Sequence, residues 1–185
     1  MAVVQFHELT VKRVSPEAAG SVAITFDIPL AARDTFRFEP GQYLTLRARV
    51  NGQDLRRTYS ISSPRSRLAT LGELEVGIRP VQGGLFSNWV ASHVRQGDRL
   101  QVMAPNGRFM VRKQRAIHRV GFAAGSGITP LMSILKAVVH TEPNSHVLLI
   151  YGNRNEESVI FQQQLADLEA STNGRLQVEH VYSQP

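Results

Sequence analysis

The sequence predicts two domains: an antiparallel β-barrel of Greek-key type over residues 1–112, then an incomplete α/β domain with a parallel sheet over residues 113–185. Three observations predict this. In the first half apolar residues alternate with polar ones, the period of strands with one buried face. Glycine and proline turn signals punctuate that half at short intervals, which favours many short strands. After about Arg112 short apolar runs alternate with helical spacing, the pattern of parallel crossovers.

The barrel elements follow in order. Val22, Ile24, Phe26 and Ile28 form one apolar row, with Ala23, Thr25 and Asp27 on the other. Leu44, Leu46, Ala48 and Val50 repeat the pattern, as do Leu74, Val76 and Ile78, and then Leu100 and Val102. Pro40-Gly41, Asn51-Gly52, Gly83-Gly84, Gln96-Gly97-Asp98 and Pro105-Asn106-Gly107 mark the turns. RTYSISS, Arg57 to Ser63, reads as a strand ending before Pro64. A short helix is expected from Ser87 to Val94, with Ser87 as its N-cap.

In the second half, Arg119–Ala124 is a short apolar strand. A helix follows with Leu131, Ile134, Leu135 and Val138 on one face, ended by Pro143. Val147–Tyr151 is the next strand, Glu156–Ala170 a helix built on Phe161, Leu165 and Leu168, and Leu176–Tyr182 a third strand. Three strands make half of a doubly wound sheet. In a 3-2-1 order the first would be an open edge, which calls for more chain or a partner.

Composition sets outer limits. The 185 residues are 42% apolar, as in an ordinary folded protein. A formal charge of +6 favours anionic partners, whether nucleotides, nucleic acid, acidic proteins or membrane surfaces. There is no cysteine, so disulfides, thiolate zinc sites and cysteine-held iron–sulfur clusters have no ligands in this sequence. The six histidines fall in no metal-binding spacing, and no metal site is expected. No signal peptide and no bilayer-length apolar run is visible, so the expectation is a cytoplasmic protein without a membrane partner.

Four short stretches carry chemistry. Arg57, Tyr59 and Ser60 put a cation, a flat aromatic and a hydroxyl within four residues; simple alternation would place Ser60 on the far face. Gly83-Gly84-Leu85-Phe86-Ser87 precedes a helix and offers a phosphate cradle or a bulged hairpin, with Arg79 a few residues upstream to add charge. Gly125-Ser126-Gly127-Ile128-Thr129-Pro130 lies between a strand and a helix, where main-chain N–H groups can meet a phosphate. It falls short of the full G-x-G-x-x-G fingerprint, because Pro130 replaces the third glycine. Tyr151-Gly152-Asn153-Arg154 ends the second parallel strand, where the ribose of a dinucleotide lies. An arginine there pairs with a 2′-phosphate, so Arg154 favours NADP over NAD.

In this order, with Pro40-Gly41-Gln42 upstream, RTYS, GGLFS, GSGITP and YGNR resemble the ferredoxin–NADP reductase superfamily over essentially the whole chain. LRRTYSISS, AAGSGITPLMSIL and LIYGNRNEESVIFQQQLADL are similar to the reductase-subunit family of phenylacetyl-CoA epoxidases. That family carries electrons from NADPH through FAD to a C-terminal [2Fe–2S] domain and on to an oxygenase. The resemblance implies a flavin-binding barrel. Arg57 would meet the flavin pyrophosphate, and Tyr59 would stack on the isoalloxazine. Ser60 would bond near N5, with Ile61 beside it. Gly83, Gly84, Leu85 and Ser87 would hold the pyrophosphate from the other side, with Arg79 near. It also implies that Gly125, Gly127 and Thr129 meet NADPH, with Thr129 close to the flavin, and that Arg154 selects the 2′-phosphate. Tyr59, Ser60 and Thr129 are then the catalytic set, and placement rather than acid–base chemistry does the catalysis, hydride passing from nicotinamide C4 to flavin N5. For all three to reach one ligand, the strand must end or bend near Tyr59.

The absent cysteines and the short α/β half depart from the family and predict a truncated reductase whose acceptor, a ferredoxin domain or oxygenase component, lies elsewhere. A [2Fe–2S] cluster would need a further C-terminal domain. Three alternatives stay open: a stand-alone NAD(P)H flavin reductase, a nucleotide-binding module without turnover, and a nucleic-acid-binding barrel. The last is disfavoured by 7% aromatics and the lack of a dense basic tract beyond Arg112–Arg119.

Overall fold

Pairing of the first-half strands produces one antiparallel sheet. The computed structural model describes residues 5–111 and 117–184. The expected domain boundary at 112/113 and most of the basic tract lie outside the described residues. Strands β1 (Phe6–Pro16), β2 (Val22–Asp27), β3 (Tyr43–Val50), β4 (Gln53–Ser60), β5 (Glu73–Ile78) and β6 (Arg99–Met103) form a six-stranded sheet in the order β4-β3-β6-β1-β2-β5. Its two edges meet: Ile61 bridges Val76, and the Ser62 N–H donates to the Glu75 carbonyl at 2.8 Å. That closure makes the barrel. Asn51 and Gly52 take φ of 49° and 78°, the left-handed pair a two-residue hairpin needs between β3 and β4.

The barrel core is the expected apolar row, with Ile24, Phe26, Leu44, Leu46, Val76 and Val102 fully buried. Each such side chain contributes about 1.5–3 kcal/mol on burial. Two helices flank it: α1 (Arg65–Leu71) and α2 (Leu85–His93). The opposite row of β2, expected to face solvent, is also buried at Ala23 and Thr25. Ala23 belongs to the core of the second half, so the α/β unit packs on the outer face of β2.

In the second half β7 (His118–Ala124), α3 (Ile128–Thr141), β8 (His146–Asn153), α4 (Gln162–Ala170) and β9 (Leu176–Tyr182) give a parallel sheet in the order β7-β8-β9. The expected 156–170 helix starts later. A single 3₁₀ turn at Glu156–Ser158 comes first, and Phe161 turns left-handed at φ 61° before α4 begins. One face of the sheet carries Leu149 and Tyr151, buried under the helices through Met132, Leu135 and Leu165. On the other face Val120 and Phe122 are exposed at 57% and 73%. Among the described residues no helix is long and apolar enough to cross a membrane.

Candidate functional site

β4 ends where its partner changes. Tyr59 and Ser60 lie opposite Leu44 and Tyr43 of β3. One residue later the Ile61 N–H donates to the Gln42 carbonyl at 2.9 Å, and Ser62 joins β5. The strand therefore stops directly after Ser60. Arg57 and Tyr59 share the sheet face of their neighbours Leu46 and Leu44, and Ser60 issues from the other. The half-buried Tyr59 ring stacks on Phe86 of α2, with centroids 6.1 Å apart and planes at 26°. Burial pushes its phenol up to about 12, against a smaller opposing pull from Arg57. Tyr59 is thus an uncharged plate backed by a second ring. Arg57 is exposed, and its Nη1 donates to the Arg56 carbonyl at 2.7 Å.

Phe86 brings the glycine loop to the same place, because it lies in the first turn of α2. That helix begins two residues before the expected start. Gly84, not Ser87, is the N-cap. The reason is local: Asn88 Nδ2 donates to the Gly84 and Val81 carbonyls at 2.6 and 2.7 Å and ties the loop down early. Ser87 stands buried inside the first turn, where its Oγ accepts the Val81 N–H at 3.3 Å. A Cβ on Gly84 would come within 2.5 Å of Val81 Cγ2 and 2.8 Å of Ser87 Oγ. Gly83 takes φ 72°, and Leu85 is exposed.

A second site lies at the carboxyl ends of the parallel strands, the usual place for a ligand in an open α/β sheet. A cleft of 470 Å³ is lined there by Arg79, Gly125, Ser126, Asn153, Arg154 and Tyr182, among others. Gly125 takes φ 49°, and a Cβ on it would stand 2.6 Å from Arg79 Nη1. Arg79 therefore reaches from the end of β5 across to the second half, rather than serving only the Gly83–Ser87 loop. At Gly127 an added Cβ would meet nothing within 4 Å, so space is open above the start of α3. Thr129 is buried, and its Oγ1 donates to the Ser126 carbonyl at 2.9 Å.

Sequence reasoning missed two residues here. The Tyr151 hydroxyl donates to the Gly125 carbonyl at 3.0 Å and holds the turn, with burial pushing its phenol up to about 12. Both amide atoms of Asn153 are buried without a hydrogen-bond partner among the described residues. Asn153 sits inside the YGNR stretch, but no local pattern distinguishes a ligand-facing amide from a turn residue.

Comparison with known proteins bears on both sites. A family model for the oxidoreductase FAD-binding domain matches residues 9–111. The chain belongs to that family. A second model, for the oxidoreductase NAD-binding domain, matches residues 122–185. One of the subunits of 1,2-phenylacetyl-CoA epoxidase from Escherichia coli K12 is 45% identical over 181 residues, 97% of this chain and 50% of that protein. The ferredoxin reductase component of 3-ketosteroid-9-alpha-monooxygenase from Mycolicibacterium smegmatis is 38% identical over 177 residues, 94% of this chain and 49% of that one. The chain thus spans about half the length of these curated relatives. Among solved structures, Plasmodium falciparum ferredoxin-NADP+ reductase with 2′P-AMP superposes with a TM-score of 0.80 at 18% identity, covering 98% of this chain and 75% of that one. A Neisseria gonorrhoeae ferredoxin NADP+ reductase with bound FAD and NADP gives 0.77 at 24%, covering 97% and 69%. The barrel followed by a parallel sheet is therefore the fold of ferredoxin–NADP reductases.

Proposed function

We propose that this chain is the FAD- and NADPH-binding part of a reductase that passes electrons to an iron–sulfur or oxygenase partner, as in a phenylacetyl-CoA epoxidase-like multicomponent oxygenase. Residues 1–112 form the flavin half and 113–185 the nucleotide half, and the protein works in the cytoplasm. The observation that carries this reading is the stack of Tyr59 on Phe86. It brings the cation–aromatic–hydroxyl end of β4 to the glycine-capped start of α2, giving one place for both a flat ring and a diphosphate.

The residues fit both groups. An uncharged aromatic plate suits an isoalloxazine, and an exposed guanidinium beside it suits a pyrophosphate. At the cleft, the unpaired Asn153 amide and the open space over Gly127 fit a nucleotide. When bound, FAD supplies the redox chemistry that no side chain here offers. The protein's own residues hold and orient. Arg57 and the main-chain N–H groups of Gly83 and Leu85 meet the flavin diphosphate, while the Gly84 N–H, donated to the Val81 carbonyl at 2.9 Å, and Ser87 lock the loop. Tyr59 fixes the ring plane and Ser60 closes its edge; Ile61, expected beside them, is instead fully buried in the barrel core with its N–H on the Gln42 carbonyl, and anchors the strand end. Gly125, Gly127 and Thr129 receive the nicotinamide nucleotide at the start of α3, Arg79 offsets its diphosphate, and Arg154 selects the 2′-phosphate.

The visible spectrum of the purified chain, before and after anaerobic NADPH, tests this, with the released cofactor identified by chromatography. A yellow protein that releases FAD and bleaches is expected. A colourless protein that takes up neither FAD nor FMN overturns it.

A further inference from the structure

Helix α3 runs from the cleft at the carboxyl ends of the parallel strands to the barrel segment that follows Ser60. Its first turn forms the cradle at Gly127–Thr129. Farther along, Ser133 and Lys136 face the barrel. Ser133 Oγ donates to the Ser63 carbonyl at 2.8 Å, and Lys136 Nζ donates to the Ser62 carbonyl at 3.2 Å and to Gln164 Oε1 at 2.9 Å. Both carbonyls lie two to three residues beyond Ser60. The barrel uses the other polar groups of that segment. Ser62 Oγ donates to Glu75 Oε1 at 3.1 Å, and Ser63 Oγ accepts the Glu75 N–H at 3.1 Å. Glu75 is itself tied to Thr25 and Arg67 at 3.1 Å each. The segment is thus gripped from one side by the barrel and from the other by α3.

This grip has a cost. Burial holds the Lys136 amine below its ordinary range; Glu75 and Glu17 oppose that, and Arg67 adds to it. A charge kept in a partly dehydrated seam adds little net stability compared with an apolar residue of its size. What it adds is a directed bond to one carbonyl.

We propose that Lys136, together with Ser133, is a positioning residue for the flavin site, setting the attitude of Tyr59 and Ser60 through the Ser62 and Ser63 carbonyls. This rests on the flavin reading of β4. One helix then carries the nucleotide cradle and the rear support of the flavin strand. From Thr129 to Lys136 it rises about 10 Å, at about 1.5 Å per residue. The spacing of the two cofactors is set by a rigid rod rather than by loops.

Lys136→Met, Lys136→Arg and Ser133→Ala in the full chain loaded with FAD test the proposal. Lys136→Met should weaken FAD binding about ten-fold, the change expected when about a tenth of the chains hold the strand end in the binding-competent attitude. It should also move the flavin visible band and midpoint potential. Lys136→Arg should restore both. Ser133→Ala removes only a hydroxyl and should shift the same signals in a folded protein. A lower melting temperature with unchanged spectrum, potential and affinity in Lys136→Met and Ser133→Ala overturns the proposal. Amide exchange of Ile61–Ser63 in the flavin-free chain separates this claim from the one beneath it. If the unsubstituted chain takes up no flavin, the proposed function fails; faster exchange in Lys136→Met still supports the grip, and unchanged exchange overturns it.

Discussion

Tyr59 is specified by what lies behind it as much as by its own ring. Phe86 backs one side, and the phenol, pushed up to about 12 by burial, stays neutral at any working pH. The plate rather than the hydroxyl should therefore matter for binding. Tyr59→Phe is expected to keep FAD affinity within about three-fold, while Tyr59→Ala loses roughly ten-fold or more, as the removal of an aromatic contact of about 1.5 kcal/mol implies. Fluorescence titration with FAD checks both. At the other cleft, Arg154 is exposed at the mouth, beside the unpaired Asn153. Arg154→Ala should raise the KM for NADPH about ten-fold or more and leave that for NADH nearly unchanged, because only the former carries the charge it meets. Equal changes for both nucleotides in steady-state assays would remove Arg154 from the specificity role. The types of these residues were legible in sequence; their neighbours were not. Asn153 and Phe86 became visible only once β8 and α2 had been placed.

At the scale of elements, sequence patterns worked where one face is buried and failed where two are. The rows of β3 and the apolar face of α3 appear as read. In β5, Glu73 and Glu75 stand where alternation predicts solvent, yet both are buried. Lys12, Arg13, Thr25 and Arg67 cover them, and those residues come from β1, β2 and α1. Helix α1 itself was missed. Seven residues between Pro64 and a left-handed Gly72 are too few to show a helical period. The Glu73 cluster gives a pH test. The hydrogen bond from Lys12 holds its carboxyl below the ordinary range, against burial and with help from Arg67. A carboxyl lowered on folding contributes stability above its unfolded value, and that contribution is lost as pH falls through the lower folded value. Glu73→Gln should cost about 1–3 kcal/mol near pH 7 and progressively less below the ordinary carboxylate range. Melting temperatures from pH 7 to pH 3 should therefore converge for the two proteins. A constant gap would mean that the charge of Glu73 does not contribute.

For the molecule as a whole, the seam between barrel and α/β unit decides whether the two sites act together. Nothing in the period-two pattern of β2 or β5 announces that seam, since Ala23 and Gly77 read as ordinary small residues of an outer row. In the structure they are the points of contact. Ala23 sits in the α/β core, and a Cβ on Gly77 would stand 2.9 Å from the Phe161 ring and 3.1 Å from Thr129 Cγ2. Phe161 has little room to retreat. It is buried and left-handed at φ 61°, and its N–H donates to Glu17 Oε2 at 3.0 Å, a carboxyl that burial pushes up. Gly77→Ala should therefore push the halves apart rather than repack either core, at about 1–3 kcal/mol for an overfilled contact. Thr129 lies in that seam, and farther along α3 Ser133 and Lys136 reach across it to the Ser63 and Ser62 carbonyls. NADPH affinity and FAD affinity are then both expected to fall, because the seam also carries the bonds from Ser133 and Lys136 to the strand end behind Tyr59, and thermal unfolding to broaden as the halves lose mutual support. Calorimetry and titration with each nucleotide measure this. Weakened NADPH binding with unchanged FAD affinity would show that the seam carries no link to the flavin site.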